Sequence, residues 1–95
     1  MNPAPQLSVV VPVHNEEDNV APLVGEVVAA LRGVIPFEIV YVDDLSKDAT
    51  LERLRALKAT TPELRVVRHL SNSGQSTAIR TGIKAARAVD RHARR

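Results

Sequence analysis

Three short runs rich in β-branched residues punctuate the chain: Leu7–Val13 (LSVVVPV), Phe37–Asp43 (FEIVYVD) and Leu64–Leu70 (LRVVRHL). Each is followed by a polar segment and then by apolar residues at helical spacing. The first two runs are nearly continuous in apolar character, which suits strands buried on both faces of a parallel sheet. The third carries two Arg and a His and reads as an edge strand. Pro12 cannot donate to a ladder, so it fits the last residues of the first strand. After that strand, Val20, Leu23, Val24, Val27, Val28 and Leu31 mark a helix that Gly33 ends. Asn15 reads as its N-cap, with Glu16, Glu17 and Asp18 in its first turn. Leu51, Leu54 and Leu57 mark a second helix, capped by Ser46 or Asp48 and left at Pro62. The third helix is expected from Ser76 to Ala88, with Ile79, Gly82, Ile83 and Ala86 on one face, small enough for close packing on the sheet. The remaining Val89–Arg95 has no apolar period and is expected to fray.

Repeated strand–loop–helix units of about 30 residues imply a parallel sheet with right-handed crossovers. The expected fold is α/β, three βα units with sheet order 3-2-1, an incomplete Rossmann-like half. With 95 residues, the chain is expected to hold one small domain at most, or part of a larger one, with its motifs filling residues 7–88. In open parallel sheets ligands bind at the carboxyl ends of the strands. The chemistry is therefore expected in three loops: Pro12–Glu17, Asp43–Asp48 and Ser71–Gln75.

Composition narrows the classes. One Phe, one Tyr and no Trp leave an aliphatic core and little aromatic stacking for bases, which argues against nucleic acid as a partner. The absence of cysteine excludes a disulfide framework, a thiolate metal site and a cysteine nucleophile. No apolar stretch reaches the roughly 20 residues of a membrane span. Nothing basic precedes Leu7, which argues against a secretory signal. A cytoplasmic location follows as the expectation. The charge is asymmetric. Residues 1–48 hold two basic and eight acidic residues, and the rest holds eleven basic and three acidic. The basic half reads as solvated helix faces.

The loops supply carboxylates, amides and hydroxyls along one rim. Such groups accept hydrogen bonds from ribose hydroxyls and base N–H groups, or help hold a divalent cation. Asp43 and Asp44 are the most informative pair. Adjacent acids at the end of an apolar strand repel each other, and capping needs only one of them. Asn15, Glu16, Glu17, Asp18 and Asp48 have helix capping as a competing role. His14 reads as a loop residue that shapes the pocket, with a general base or metal ligand as the alternative. Gly74 could admit a phosphate at a helix start or serve only a turn. No G-x-G-x-x-G, P-loop or G-x-S-x-G segment is present.

Three segments carry a family resemblance. SVVVPVHNEEDNV resembles the opening strand and loop of family 2 glycosyltransferases, which have the GT-A fold. FEIVYVDDLSKDAT is similar to their V-D-D-G-S-x-D-x-T segment. LSNSGQSTAIRTGIKAA is similar to their N-x-G-x-x-x-A-x-x-x-G-x-x-x-A helix, in a form like that of the dolichyl-phosphate mannose synthase type. The resemblance implies a nucleotide-diphosphate sugar donor, a divalent cation (Mg or Mn) and an acceptor such as a polyprenyl phosphate, with a longer parent at the cytosolic membrane face. It implies that Pro12, His14, Asn15 and Glu16 lie beside the nucleoside, that Asp43 and Asp44 meet the base and ribose, and that Gly74 and Gln75 lie near the nucleotide.

Two departures shape the expectations. Leu45 stands where the family usually has Gly, a costly exchange if the backbone there takes positive φ. The stretch after the third helix shows no strand pattern, no D-x-D and no later catalytic base, so the chain reads as truncated and leaves turnover open. Neither catalytic nor metal-ligating residues are assigned. The first strand would then have an open edge, suited to self-association. A non-catalytic nucleotide-binding remnant and an interaction module using that edge are the rival functions. A phosphoacceptor domain built on Asp43–Asp44 lacks the further acids and lysine loop it would need.

Overall fold

A computed structural model describes residues 5–70, 74–87 and 90–93, the last of these as backbone only. The elements run β1 (Leu7–Val13), α1 (Val20–Leu31), β2 (Phe37–Asp43), α2 (Thr50–Lys58), β3 (Leu64–Arg68), α3 (Gln75–Ala85) and β4 (Asp90–Ala93). All pairings are parallel, in the order β3-β2-β1-β4. The expected 3-2-1 order therefore holds for the first three strands, with β3 at an edge.

One expectation fails here. Residues 90–93 do not fray but pair with Leu7–Val10 on the side of β1 away from β2. The β1 edge is thus covered over those four residues, and the expected open edge is restricted to what lies beyond Val10. A four-residue strand is too short to declare itself by apolar periodicity. Its backbone groups, supplied with a ready ladder partner, are enough to pair it.

The sheet is covered on both faces because its strands are apolar on both. Val9, Val11, Val13, Phe37, Ile39, Tyr41 and Leu64 form one core with Val20 and Val24 of α1 and Leu54 of α2. Val10, Val40 and Val42 form the other with Ala78 of α3. Small residues let α3 lie close: a Cβ placed on Gly82 would fall 2.3 Å from Val10 Cγ1 and 3.1 Å from Val42 Cγ2. The α3 end nearest the strand starts is tied down by Glu38, which is 2% exposed. Its carboxylate accepts from Ser8 Oγ at 2.5 Å, Arg87 N at 2.6 Å and Arg65 Nη1 at 2.9 Å. Arg65 also donates to the Ala85 carbonyl at 2.7 Å, satisfying a free helix-end acceptor. Burial alone would raise the Glu38 carboxyl. The hydrogen bonds from Ser8, Arg87 and Arg65 outweigh it and hold the group below the usual carboxylate range.

α1 starts later than the pattern suggested. It begins at Val20, with no acidic residue in its first turn. Asn15 has φ 53°, a conformation that an N-cap does not adopt, and its side chain is used elsewhere. Gly33, at φ 85°, does lie just past the helix end as expected.

Candidate functional site

The register aligns Val13 with Asp43 and Asp43 with Arg68, so the three strands end level and their loops share one rim. The ladder continues one step into the loops: Asp44 N donates to Val13 O, and His69 N to Asp43 O, both at 2.9 Å.

Loops one and two are stitched together by side chains. Asn15 N donates to Ser46 Oγ at 2.9 Å, and Asn15 Oδ1 accepts from Lys47 N at 2.7 Å. Glu16 N donates to Thr50 Oγ1 at 2.9 Å. Glu17 accepts from Ala49 N at 3.1 Å and pairs with Arg53 at 3.5 Å. Asp48 accepts from Thr50 N at 2.9 Å and braces the first turn of α2, although the N-cap position falls to Ala49 and neither Ser46 nor Asp48 occupies it. Hydrogen bonds from Thr50 and Glu17 hold the Asp48 carboxyl below its usual range against a smaller opposing effect of burial. Asn15 and Glu17 therefore join two loops rather than cap α1.

His14 is oriented by geometry. Its Nδ1 lies 2.8 Å from the Asp44 carbonyl, which can only accept, so Nδ1 carries the proton. Its Nε2 then accepts from Asn15 Nδ2 at 3.2 Å.

The two aspartates divide their work. Asp43 is fully buried. Its carboxylate accepts from Ser46 N at 3.3 Å and lies 3.7 Å from Arg68 Nε, closing the tight turn through Leu45. Leu45 has φ 56°, a positive value that glycine adopts freely and leucine only at a cost. Asp44 is 4% exposed. Its Oδ1 accepts from His69 Nδ1 at 2.9 Å and its Oδ2 from Gly74 N at 2.8 Å. His69 Nε2 in turn lies 2.8 Å from Thr81 Oγ1 on α3. Asp44 thus joins β2, the end of β3 and the start of α3. His69 was visible in the sequence only as a polar residue in an edge strand. No spacing rule links it to Asp44 or Thr81, because the contact depends on the β2–β3 register.

These elements surround a cleft of about 220 Å³ lined by Pro12, Val13, His14, Glu16, Asp44, Gln75 and Ala78. Five of the sequence-selected residues meet there: Pro12, His14, Glu16, Asp44 and Gln75. Asn15, Asp43 and Gly74 support its walls instead of lining it. A second cavity of about 290 Å³ adjoins it, sharing Pro12, Val13 and Glu16 and reaching Tyr41 and Glu26. The Tyr41 hydroxyl is buried there without a hydrogen-bond partner among the described residues. Burial pushes its pKa up, and the charge of Glu16 adds to the effect. Ser71, Asn72 and Ser73 of loop three lie outside the described residues.

Among the described residues the cleft does not present the ligand set of a divalent cation. No group of three His, Asp or Glu converges among the described residues. Asp43 and Asp44 direct their carboxylates at least in part to Ser46, Arg68, His69 and Gly74. No helix among the described residues is long and apolar enough to cross a membrane.

Comparison with known proteins gives a consistent result. The profile described as glycosyl transferase family 2 matches residues 8–88. A dodecaprenyl-phosphate galacturonate synthase of Rhizobium johnstonii is 43% identical over 84 residues, spanning 86% of this chain and 25% of that protein. A dolichol-phosphate mannosyltransferase of Pyrococcus furiosus is 37% identical over 81 residues, spanning 85% of this chain and 22% of that protein. Among solved structures, a mannosyltransferase of Pyrobaculum calidifontis in complex with GDP-Man and Mn2+ superposes with a TM-score of 0.75 at 26% identity, over 88% of this chain and 25% of that one. The chain spans about a quarter of the length of the proteins it matches.

Proposed function

Because the chain belongs to glycosyl transferase family 2, as the match over residues 8–88 establishes, we propose that its rim of strand ends binds the nucleoside diphosphate part of a nucleotide-sugar donor. In this reading the chain is the donor-binding portion of a glycosyltransferase that passes a sugar to a polyprenyl phosphate. The relatives' names support that acceptor class. The observation that carries the reading is the meeting of Pro12, His14, Glu16, Asp44 and Gln75 around one cleft.

The residues divide naturally among tasks. The Glu16 carboxylate stands on the exposed rim and can accept from ribose hydroxyls or base N–H groups. Asp44 holds His69 and Gly74 and lines the cleft, where it is expected to meet the nucleoside. His14, with Nδ1 committed to the Asp44 carbonyl and Nε2 to Asn15, shapes the cleft wall with its ring. Gly74 at φ 88° brings backbone without a side chain to the start of α3. No chemical step is assigned to these residues. The cation that a family member holds beside GDP-Man has no ligand set among the described residues.

The test is nucleotide titration of the purified chain, followed by backbone amide shifts. Adding UDP or GDP should move Glu16, Asp44 and Gln75 together. Glu16→Gln should weaken binding by about 1–3 kcal/mol, the range for hydrogen bonds to charged groups, with no change in fold. Shifts confined to other surfaces, or undiminished affinity in the folded variant, would refute the reading.

A further inference from the structure

We propose that His69 is a positioning residue for the cleft, acting through Asp44 on the Gly74–Gln75 wall. The geometry is a four-member chain. Thr81 Oγ1 lies 2.8 Å from His69 Nε2, His69 Nδ1 lies 2.9 Å from Asp44 Oδ1, and Gly74 N donates to Asp44 Oδ2 at 2.8 Å. An ionised Asp44 can only accept, so Nδ1 carries the ring proton. In the neutral ring Nε2 then receives the Thr81 hydroxyl proton. Asp44 fixes the tautomer, and the Thr81 hydroxyl, donating to the bare Nε2, anchors the ring on α3.

The chain matters because of what each member is attached to. Thr81 sits on α3, which Gly82 brings close to the sheet. His69 follows β3, and Asp44 follows β2. The imidazole therefore refers the carboxylate to two already packed elements. It is itself shielded, with a side chain 13% exposed. The His69 contact bears on the terminal torsion of that carboxylate, which is intrinsically broad. With Oδ1 held by His69, Oδ2 points to the Gly74 amide at the α3 start, and Asp44 and Gln75 are kept on the same cleft.

The relay can be tested without a ligand. Asn places its amide N–H where the imidazole Nδ1 is, whereas Gln places it near Nε2. His69→Gln should therefore lose the Asp44 contact and His69→Asn should keep it. The readout is the hydrogen-exchange rate of the Gly74 amide divided by that of buried Val40, compared under conditions in which the Val40 rate, and so global stability, is matched between variants. The ratio should rise about tenfold in His69→Gln, the factor for losing one charge-assisted hydrogen bond. It should stay within about threefold of the parent in His69→Asn. Imidazole nitrogen shifts of the parent should show a protonated Nδ1. An unchanged ratio in His69→Gln, or a protonated Nε2 with a bare Nδ1, overturns the proposal. If His69→Gln does not fold, Thr81→Val takes its place: the exchange ratio is expected to rise as the imidazole loses its anchor on α3, and an unchanged ratio refutes the relay.

Its link to ligand rests on the nucleotide reading of the cleft. GDP or UDP affinity should fall about tenfold in His69→Gln and recover in His69→Asn. If the parent binds neither nucleotide, that reading fails, while the exchange ratio still decides the relay.

Discussion

Gly82→Ala should loosen α3 from the sheet by an amount that the geometry allows to be bounded. The new methyl would lie 2.3 Å from Val10 Cγ1 and 3.1 Å from Val42 Cγ2, against about 3.5–4.0 Å for comfortable carbon contacts. Val10 and Val42 are fully buried, and Val10 lies between two paired strands. Its β-branched side chain has few alternative rotamers, so the helix must back away. Overpacking of this kind costs about 1–3 kcal/mol, and alanine's better helix propensity returns up to about 1 kcal/mol. A net loss of about 1–2 kcal/mol is expected, which is a fall of about 4–16 °C in Tm for a domain of this size. Urea unfolding of three variants isolates the contact. Val10→Ala alone should cost about 2 kcal/mol through lost burial and a cavity. The double variant should cost less than the two singles together by about 1 kcal/mol or more, because the new methyl enters the space vacated by valine. A neutral or stabilising Gly82→Ala, or strict additivity in the double variant, would show that α3 does not rest on Val10.

Leu45→Gly relieves about 1–2 kcal/mol of left-handed backbone strain, offset by about 0.5–1 kcal/mol of added unfolded-state entropy. Stability should be unchanged or higher, and a loss above about 1 kcal/mol would mean that the leucine side chain outweighs the strain. Glu38→Gln tests the pole opposite the cleft. Glu38 has a folded-state pKa below its ordinary value, so its contribution is complete above the unfolded pKa and disappears as pH falls through the folded one. The variant should be less stable than the parent at pH about 7, with the gap closing below pH about 4; a gap that is constant with pH refutes the network. Truncation after Arg87 removes β4 and bares the Leu7–Val10 edge, so sedimentation should show larger species than the parent chain does. An unchanged sedimentation profile would mean that β4 does not guard that edge.

The strands and the rim were legible because both follow from local pattern. LSVVVPV and FEIVYVD occupy the bounds expected of them, and parallel topology alone sends the following loops to one end. β4 was not legible, since DRHA has no apolar alternation and is held by pairing with Leu7–Val10. The start of α1 was misjudged for a related reason. Asn15 and the acids after it have the composition of a helix cap, but Ser46, Lys47 and Thr50 offer them long-range partners. Those contacts span more than thirty positions and leave no periodic trace. The same limit hid His69. Its partners, Asp44 and Thr81, are 25 and 12 positions away, and only the register of β2 and β3 brings them into reach.

The backbone strain of the molecule is distributed in a way that bears on the cleft. Two non-glycine residues have positive φ among the described residues, Asn15 at 53° and Leu45 at 56°, and both lie on the rim. Asparagine tolerates this region, and Asn15 is further held by Ser46 and Lys47. Leucine has no such tolerance, so its conformation must be imposed by its neighbours. Asp43 imposes it by accepting the Ser46 amide across the turn while its own carboxylate is buried beside Arg68. Strain of this kind persists only where the surroundings over-determine it. Here the surroundings are the Asp43 turn and the Asn15 bridge, the elements that bring loops one and two together at the cleft mouth. Relaxing Leu45 should therefore affect the placement of Asp44 and His14 more than global stability. Amide shifts in the folded Leu45→Gly chain should move at both residues while those of Val40 and Ile39 stay fixed. If Asp44 and His14 stay fixed as well, the strained turn is a local accident with no part in shaping the site.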